Sequence, residues 1–144
     1  MRRIKLICFG KLKEPHWRAA CGEYEKRLGA YCKLETAELT PLRTLDEEAQ
    51  LAQSKIGKQA SIAALCVEGE TLSSEQFAAW LDAQPNEIEI LIGSSDGMSE
   101  DLKAQAQLRL SLSPMTLPHQ LARVMLLEQI YRAFQINTGG KYHK

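Results

Sequence analysis

A chain of 144 residues is long enough to bury one substantial core and too short to divide comfortably into two. Its 44% hydrophobic and 25% charged residues exclude a disordered or collagen-like chain, and no apolar run approaches the roughly 18 residues of a membrane span. With 18 basic and 18 acidic residues the formal net charge is zero, which argues against a protein that holds naked nucleic acid through many phosphates.

The opening "MRRIKLICFG" places two arginines before an apolar patch that ends at Gly10, too short for a signal peptide, and reads as a first strand over 3–10. Helical spacing follows over 14–31, with Trp17, Ala20, Cys21, Tyr24 and Leu28 on one side. "KLETAEL" alternates as a second strand with Leu34, Thr36 and Glu38 on one side, closed by Pro41. A helix over 44–59 starts with Asp46, Glu47 and Glu48, acids suited to a helix amino end. "SIAALCVEG", 61–69, is a nearly unbroken apolar run and predicts a strand covered on both faces. Ser73 and Ser74 ahead of Glu75 and Gln76 form a capping arrangement for a helix that buries Phe77, Trp80 and Leu81. "EIEILIG", 87–93, is a second buried strand; a loop and short helix fill 94–107; "LRLSLS", 108–113, is the last strand; and a long helix spans 117–136.

Strands alternating with helices predict a single α/β domain over 1–144 with a mostly parallel sheet flanked by helices. Ligands in such sheets sit beyond the carboxyl ends of the strands, which directs attention to "LCVEGE", "LIGSSDG" and "LSLSPMT". Charge is unevenly spread: 1–33 and 102–144 are basic and 34–101 is acidic, so termini brought onto one face would make a modest positive surface. Cys8, Cys21, Cys32 and Cys66 show no C-x-x-C pairing and no histidines at zinc spacing, so no metal is expected. Without an export signal the chain is expected in the cytoplasm, where these thiols serve as small core residues.

In "LIGSSDGMS" the strand runs into Gly93 and then Gly97, which suits either a sharp turn or a closely approached ligand, and the pattern is neither a phosphate loop nor a dinucleotide fingerprint. In "LSLSPMTLPHQLAR" Pro118 takes the favourable first helical position. The helix beyond it shows Leu121, Val124, Met125, Leu127, Ile130 and Phe134 on one broad side, with Gln120, Arg123, Glu128 and Arg132 off it. Ser111, Ser113 and Thr116 could hold a ribose or an adenine edge between apolar walls from Pro114, Met115 and Leu117; from the residues alone, a rigid proline-framed connection packed under the helix is the slightly favoured reading of the stretch. Methionine fills core gaps more often than it lines cofactor sites, and a histidine near a helix start is more often structural than a base.

Taken together in this order, the "IG…G" loop, "LSLSPMTLPHQLARV", "EQIYRA" and the terminal "YHK" resemble the large-subunit ribosomal RNA pseudouridine methyltransferases, the smallest of the SPOUT-class methyltransferases. The resemblance extends to "SIAALCVEGETLSSEQFAAWL" and, in pattern, to the first sixty residues. It implies a C-terminal trefoil knot whose three strand-end loops bind S-adenosylmethionine. Carried onto this sequence, the cofactor residues are Leu65, Gly93, Leu112, Ser113, Pro114, Met115, Thr116 and Leu117. Two positions depart from the family: Cys66 stands where an acidic residue is usual, and Ser94 where a second glycine is usual.

The activity implied is methylation of the ring N3 of a pseudouridine in large-subunit ribosomal RNA, within the assembled ribosome, by a homodimer that uses no metal. The acceptor-side candidates are His119, Arg123, Arg132, Tyr142 and His143: histidine accepts protons near neutral pH, and arginine holds phosphate or a developing oxyanion. Tyr142 and His143 follow Gly139 and Gly140 in a tail that composition alone would leave frayed, whereas the resemblance has it complete a site, within its own chain or in the partner's pocket. The rival expectation is a non-catalytic, knotted ribosome-binding or assembly factor.

Overall fold

The computed structural model describes residues 1–144. Strands β1 (Arg2–Phe9), β2 (Cys32–Leu39), β3 (Ser61–Thr71), β4 (Ile88–Ile92) and β5 (Leu108–Ser111) form one sheet in the order β2-β1-β4-β3-β5, every neighbouring pair parallel. The helices are α1 (Pro15–Leu28), α2 (Leu45–Gln53), α3 (Ser74–Ala83), α4 (Glu100–Lys103) and α5 (His119–Asn137). The α/β class and the parallel sheet read from the sequence are what the structure has. No helix is long and apolar enough to cross a membrane.

Side chains alternate across each strand, so β1 sends Ile4, Leu6 and Cys8 to one face and Ile7 and Phe9 to the other. The first face is covered by α1, α3 and α5 through Cys21, Leu28, Phe77, Leu81, Leu126 and Ile130. Ala49, Ala52 and Leu102 of α2 and α4 cover the second. α5 packs on both α1 and α3, although it leaves the sheet from the edge strand β5. Three cysteines, 8, 21 and 32, are buried and Cys66 is half-buried; burial pushes the Cys8 thiol up to about 12 and holds it neutral.

Helix starts follow local chemistry. The Thr44 hydroxyl accepts the Glu47 N–H at 3.1 Å, and Ser73 with Gln76 completes a reciprocal capping box, each such cap stabilising by about 1 kcal/mol.

The helix expected to reach residue 59 stops at Gln53, because the Gly57 N–H turns inward to the buried Glu89 carboxylate at 2.9 Å. The first helix ends at Leu28, where Gly29 donates back to Glu25 and Lys26. β3 continues past Gly69 to Thr71 because Leu110 pairs with both Leu65 and Glu70, leaving 66–69 bulged out of the ladder. β5 ends at Ser111, before Ser113, since Ser111 Oγ donates to the Ser113 carbonyl and the chain turns. Pro118 caps α5 from outside, its carbonyl accepting the Ala122 N–H at 2.9 Å. α5 also turns its faces differently from the pattern: Arg123 is buried, and Leu121, Val124 and Met125 are only half-buried. The basic N-terminal block is divided rather than gathered, with Arg2 and Arg3 at the amino end of the sheet and Lys11 and Lys13 at the carboxyl end.

Candidate functional site

The carboxyl ends of β3, β4 and β5 converge on one cavity of about 570 Å³, a size that suits a nucleoside-scale ligand. These are the three strand ends singled out in the sequence. From β3 come Leu65 and the bulged Cys66, Val67 and Glu68; from β4 the Ile92–Met98 turn; from β5 Leu112, Ser113, Met115, Thr116 and Leu117; and α5 adds His119. Seven of the eight residues predicted to hold a cofactor therefore line it. Pro114 does not: it is exposed and shapes the loop from outside.

Gly93 is required by the loop itself. A Cβ there would lie 2.4 Å from the Gly97 carbonyl oxygen, and Gly97 turns back with φ +91° while its N–H bonds the Ser94 carbonyl at 2.9 Å. The close approach inferred from the two glycines is thus between two strands of the turn. Ser94 directs its hydroxyl out of the turn, to Oε1 of Glu48 at 2.9 Å, while Oε2 accepts the Leu42 N–H at 3.0 Å. Its side chain consequently leaves the backbone edge of the cavity open.

In the β5–α5 loop the serines serve the fold. Ser111 Oγ donates to the Ser113 carbonyl at 2.8 Å, and Ser113 Oγ accepts the Met115 N–H at 3.0 Å, a serine turn. The backbone N–H groups of Leu112, Thr116 and Leu117 make no hydrogen bond within the chain. Ser111 is thereby committed as a donor, whereas Ser113, which lines the cavity, keeps its own O–H free beside these backbone donors. Met115 is 75% exposed, an apolar side chain standing at the cavity rim with nothing to cover it.

Sequence reading missed Lys103 and Glu68, which pair across the rim at 2.5 Å, with Glu100 joining Lys103 at 3.9 Å. The hydrogen bond from Lys103 holds the Glu68 carboxyl below its usual range. Glu68 lay within the flagged "LCVEGE", but only the bulge reveals that it faces the cavity. Desolvation by burial raises the Cys66 thiol, so a neutral side chain occupies that position.

Of the acceptor-side candidates, only His119 lines the cavity. Arg123, one turn further on, is 6% exposed and bound to Glu38 at 2.8 Å, with its Nε left without a partner. Arg132, Tyr142 and His143 gather elsewhere. Arg132 pairs with Glu128 at 2.7 Å and lies over the Tyr142 ring at 4.8 Å; His143 meets Arg132 at 3.1 Å through Nδ1 and Glu75 at 2.5 Å through Nε2. Thirteen residues of helix separate Arg132 from His119, about 20 Å at 1.5 Å per residue. The tail is thus not frayed; it is pinned by Tyr131, Arg132 and Glu75.

A wound parallel sheet with a cavity where three carboxyl-end loops meet is the arrangement in which α/β proteins hold small ligands at their strand ends. A family described as "Predicted SPOUT methyltransferase" matches residues 2–143, and the chain belongs to the SPOUT methyltransferase family. It is 40% identical, over 158 aligned positions and 99% of each chain, to the ribosomal RNA large subunit methyltransferase H of Streptococcus equi subsp. zooepidemicus. The protein of the same name from Streptococcus pyogenes serotype M5 shows the same identity and coverage. In fold it is similar to a probable methylase family protein from Haemophilus influenzae Rd KW20, with a TM-score of 0.58 at 12% identity, covering 99% of this chain and 70% of that one.

Proposed function

We propose that the chain is an S-adenosylmethionine-dependent methyltransferase acting on the ring N3 of a pseudouridine in large-subunit ribosomal RNA, in assembled cytoplasmic ribosomes. The observation that carries this reading is the single cavity built from three strand-end loops, in a chain 40% identical to ribosomal RNA methyltransferases. The residues present fit the cofactor. Leu65, Ile92, Leu112 and Leu117 supply apolar walls for an adenine, and the unpaired N–H groups of Leu112, Thr116 and Leu117 supply donors for its edge and ribose. The helix leaving edge strand β5 packs on both α1 and α3, and the knotted path is what the family resemblance implies.

When bound, the cofactor supplies an activated methyl group on a sulfonium, so the protein's work is to align the acceptor and remove one proton. His119 takes the N3 imide proton, being the one acceptor-side candidate in the cavity wall. Arg123, committed to Glu38, fixes the turn of α5 that carries His119. Arg132, Tyr142 and His143 act in the cavity of a second copy, because their own lies about 20 Å along α5. The half-buried aromatic cluster of Tyr24 on α1, Tyr31 in the turn after it, and Tyr131 and Phe134 on α5 suits the contact between the two copies.

Labelled S-adenosylmethionine with ribosomes lacking this modification tests the reading, comparing the intact chain with one truncated after Thr138. Label in N3-methylpseudouridine of the large-subunit RNA with the intact chain alone is the expected result. Cofactor binding without transfer by either chain would refute it and leave a knotted ribosome-binding factor.

A further inference from the structure

Beside the cofactor cavity a second concavity of about 430 Å³ opens between the loops that follow β1 and β2. Its walls are Gly10, Lys11 and Lys13 on one side and Glu38, Thr40 and Pro41 on the other. His119 is the one residue that lines both spaces. Gly10 stands at the junction: its φ of +97° is one that favours glycine, and its backbone passes close to the imidazole, where a Cβ would make ordinary contact with His119 Nε2 at 3.9 Å.

The charges of the groove are arranged for an anion. Lys11 and Lys13 are exposed and take part in no ion pair. The loop bearing them is held in shape: Leu12 is buried between them, and the Arg18 guanidinium donates to the carbonyls of Leu12 at 3.2 Å and Lys13 at 2.7 Å. Glu38, the carboxylate in the floor, is already neutralised by Arg123 at 2.8 Å. Glu14, exposed at the start of α1, is the remaining unpaired acid. Two preset cations thus face solvent beside a histidine that opens into the cofactor cavity.

We propose that this groove is the acceptor-strand subsite: an RNA strand lies in it with Lys11 and Lys13 on two backbone phosphates, and the target base passes His119 into the cofactor cavity. The inference rests on the methyltransferase reading for the identity of the strand. Its physical content is that two phosphate contacts, rather than overall charge, guide a neutral protein onto RNA.

The test compares Lys11→Gln/Lys13→Gln with the control Lys33→Gln/Lys58→Gln, which removes the same charge from the amino end of the sheet. Ribosome binding is measured by co-sedimentation across a salt series without turnover, methyl transfer by steady-state kinetics, and S-adenosylmethionine binding by calorimetry. In the groove variant the ribosome KM rises about tenfold, and the slope of log affinity against log salt falls by about 1.4, at about 0.7 per single-strand phosphate. Cofactor affinity stays that of the control. A groove variant whose salt slope and ribosome affinity match the control overturns the proposal. If the unmodified chain binds ribosomes but transfers no methyl group, the methyltransferase reading fails, and the salt slopes still decide the groove. If it binds no ribosomes, both fall.

Discussion

Deleting the carboxylate of Glu38 isolates a buried positive charge. The Arg123 side chain is 8% exposed, its Nη1 donates to Glu38 Oε2 at 2.8 Å, and its Nε has no partner. The nearby Cys8 thiol, pushed up to about 12 by burial, is neutral and offers no replacement charge. Breaking a fully buried pair costs about 3–5 kcal/mol, but Glu38 is 31% exposed and water can enter from its side, so about 2 kcal/mol is expected for Glu38→Ala. At roughly 2–4 °C per kcal/mol for a chain near this size, the melting temperature falls by about 6 °C. Arg123→Met is the opposite case. Methionine fills the stem's volume and Glu38 hydrates through its exposed side, so the loss stays within about 1 kcal/mol. Urea unfolding with an unchanged m-value, alongside calorimetric melting, measures both variants. A Glu38→Ala loss no larger than that of Arg123→Met would refute the reasoning.

Gly93→Ala drives a methyl group into the Gly97 backbone, so cofactor affinity should fall at least about tenfold, whereas Ser94→Ala, losing only the Glu48 bond, should cost about 1 kcal/mol of stability and leave cofactor affinity within about twofold; calorimetric titration separates the two. Burial raises the Glu89 carboxyl above its ordinary value, so the folded chain holds this proton more tightly than the unfolded chain. Its contribution is therefore least unfavourable in acid and turns destabilising as pH rises from the ordinary carboxylate range through the raised value; Glu89→Gln, which keeps an acceptor for the Gly57 N–H, should melt higher at neutral pH and flatten that dependence. If the tail serves a second copy, mixing inactive His119→Ala with inactive His143→Ala and allowing exchange restores about a quarter of the activity through one intact composite site per mixed dimer, whereas no recovery in the methyl-transfer assay places both groups on one chain.

How much was legible in advance can be read from particular residues. Apolar runs such as "EIEILIG" disclose a buried strand because alternation is lost only where both faces are covered. Seven of the eight residues carried over by the family resemblance line the cavity, because carboxyl-end loops converge in any wound parallel sheet and the resemblance picks residues in those loops. Glu38 and Lys103 were invisible: the ion pairs that give them a role join residues 85 and 35 positions away, and no local pattern encodes such a distance. The four residues bulged from β3 were equally hidden, since a bulge is defined by its partner strand.

The sequence by itself determined the α/β class, the order of the elements and the three loops at which a ligand would sit. These follow from periodicity, capping and turn chemistry, all of which act over a few neighbouring residues. Only the tertiary structure decided that His119 opens into the cavity while His143 does not, that the serine hydroxyls of the loop serve its own turn, and that Arg123 is an anchored charge. Each of those depends on which surfaces meet, and burial and pairing are settled by packing between segments far apart in the chain.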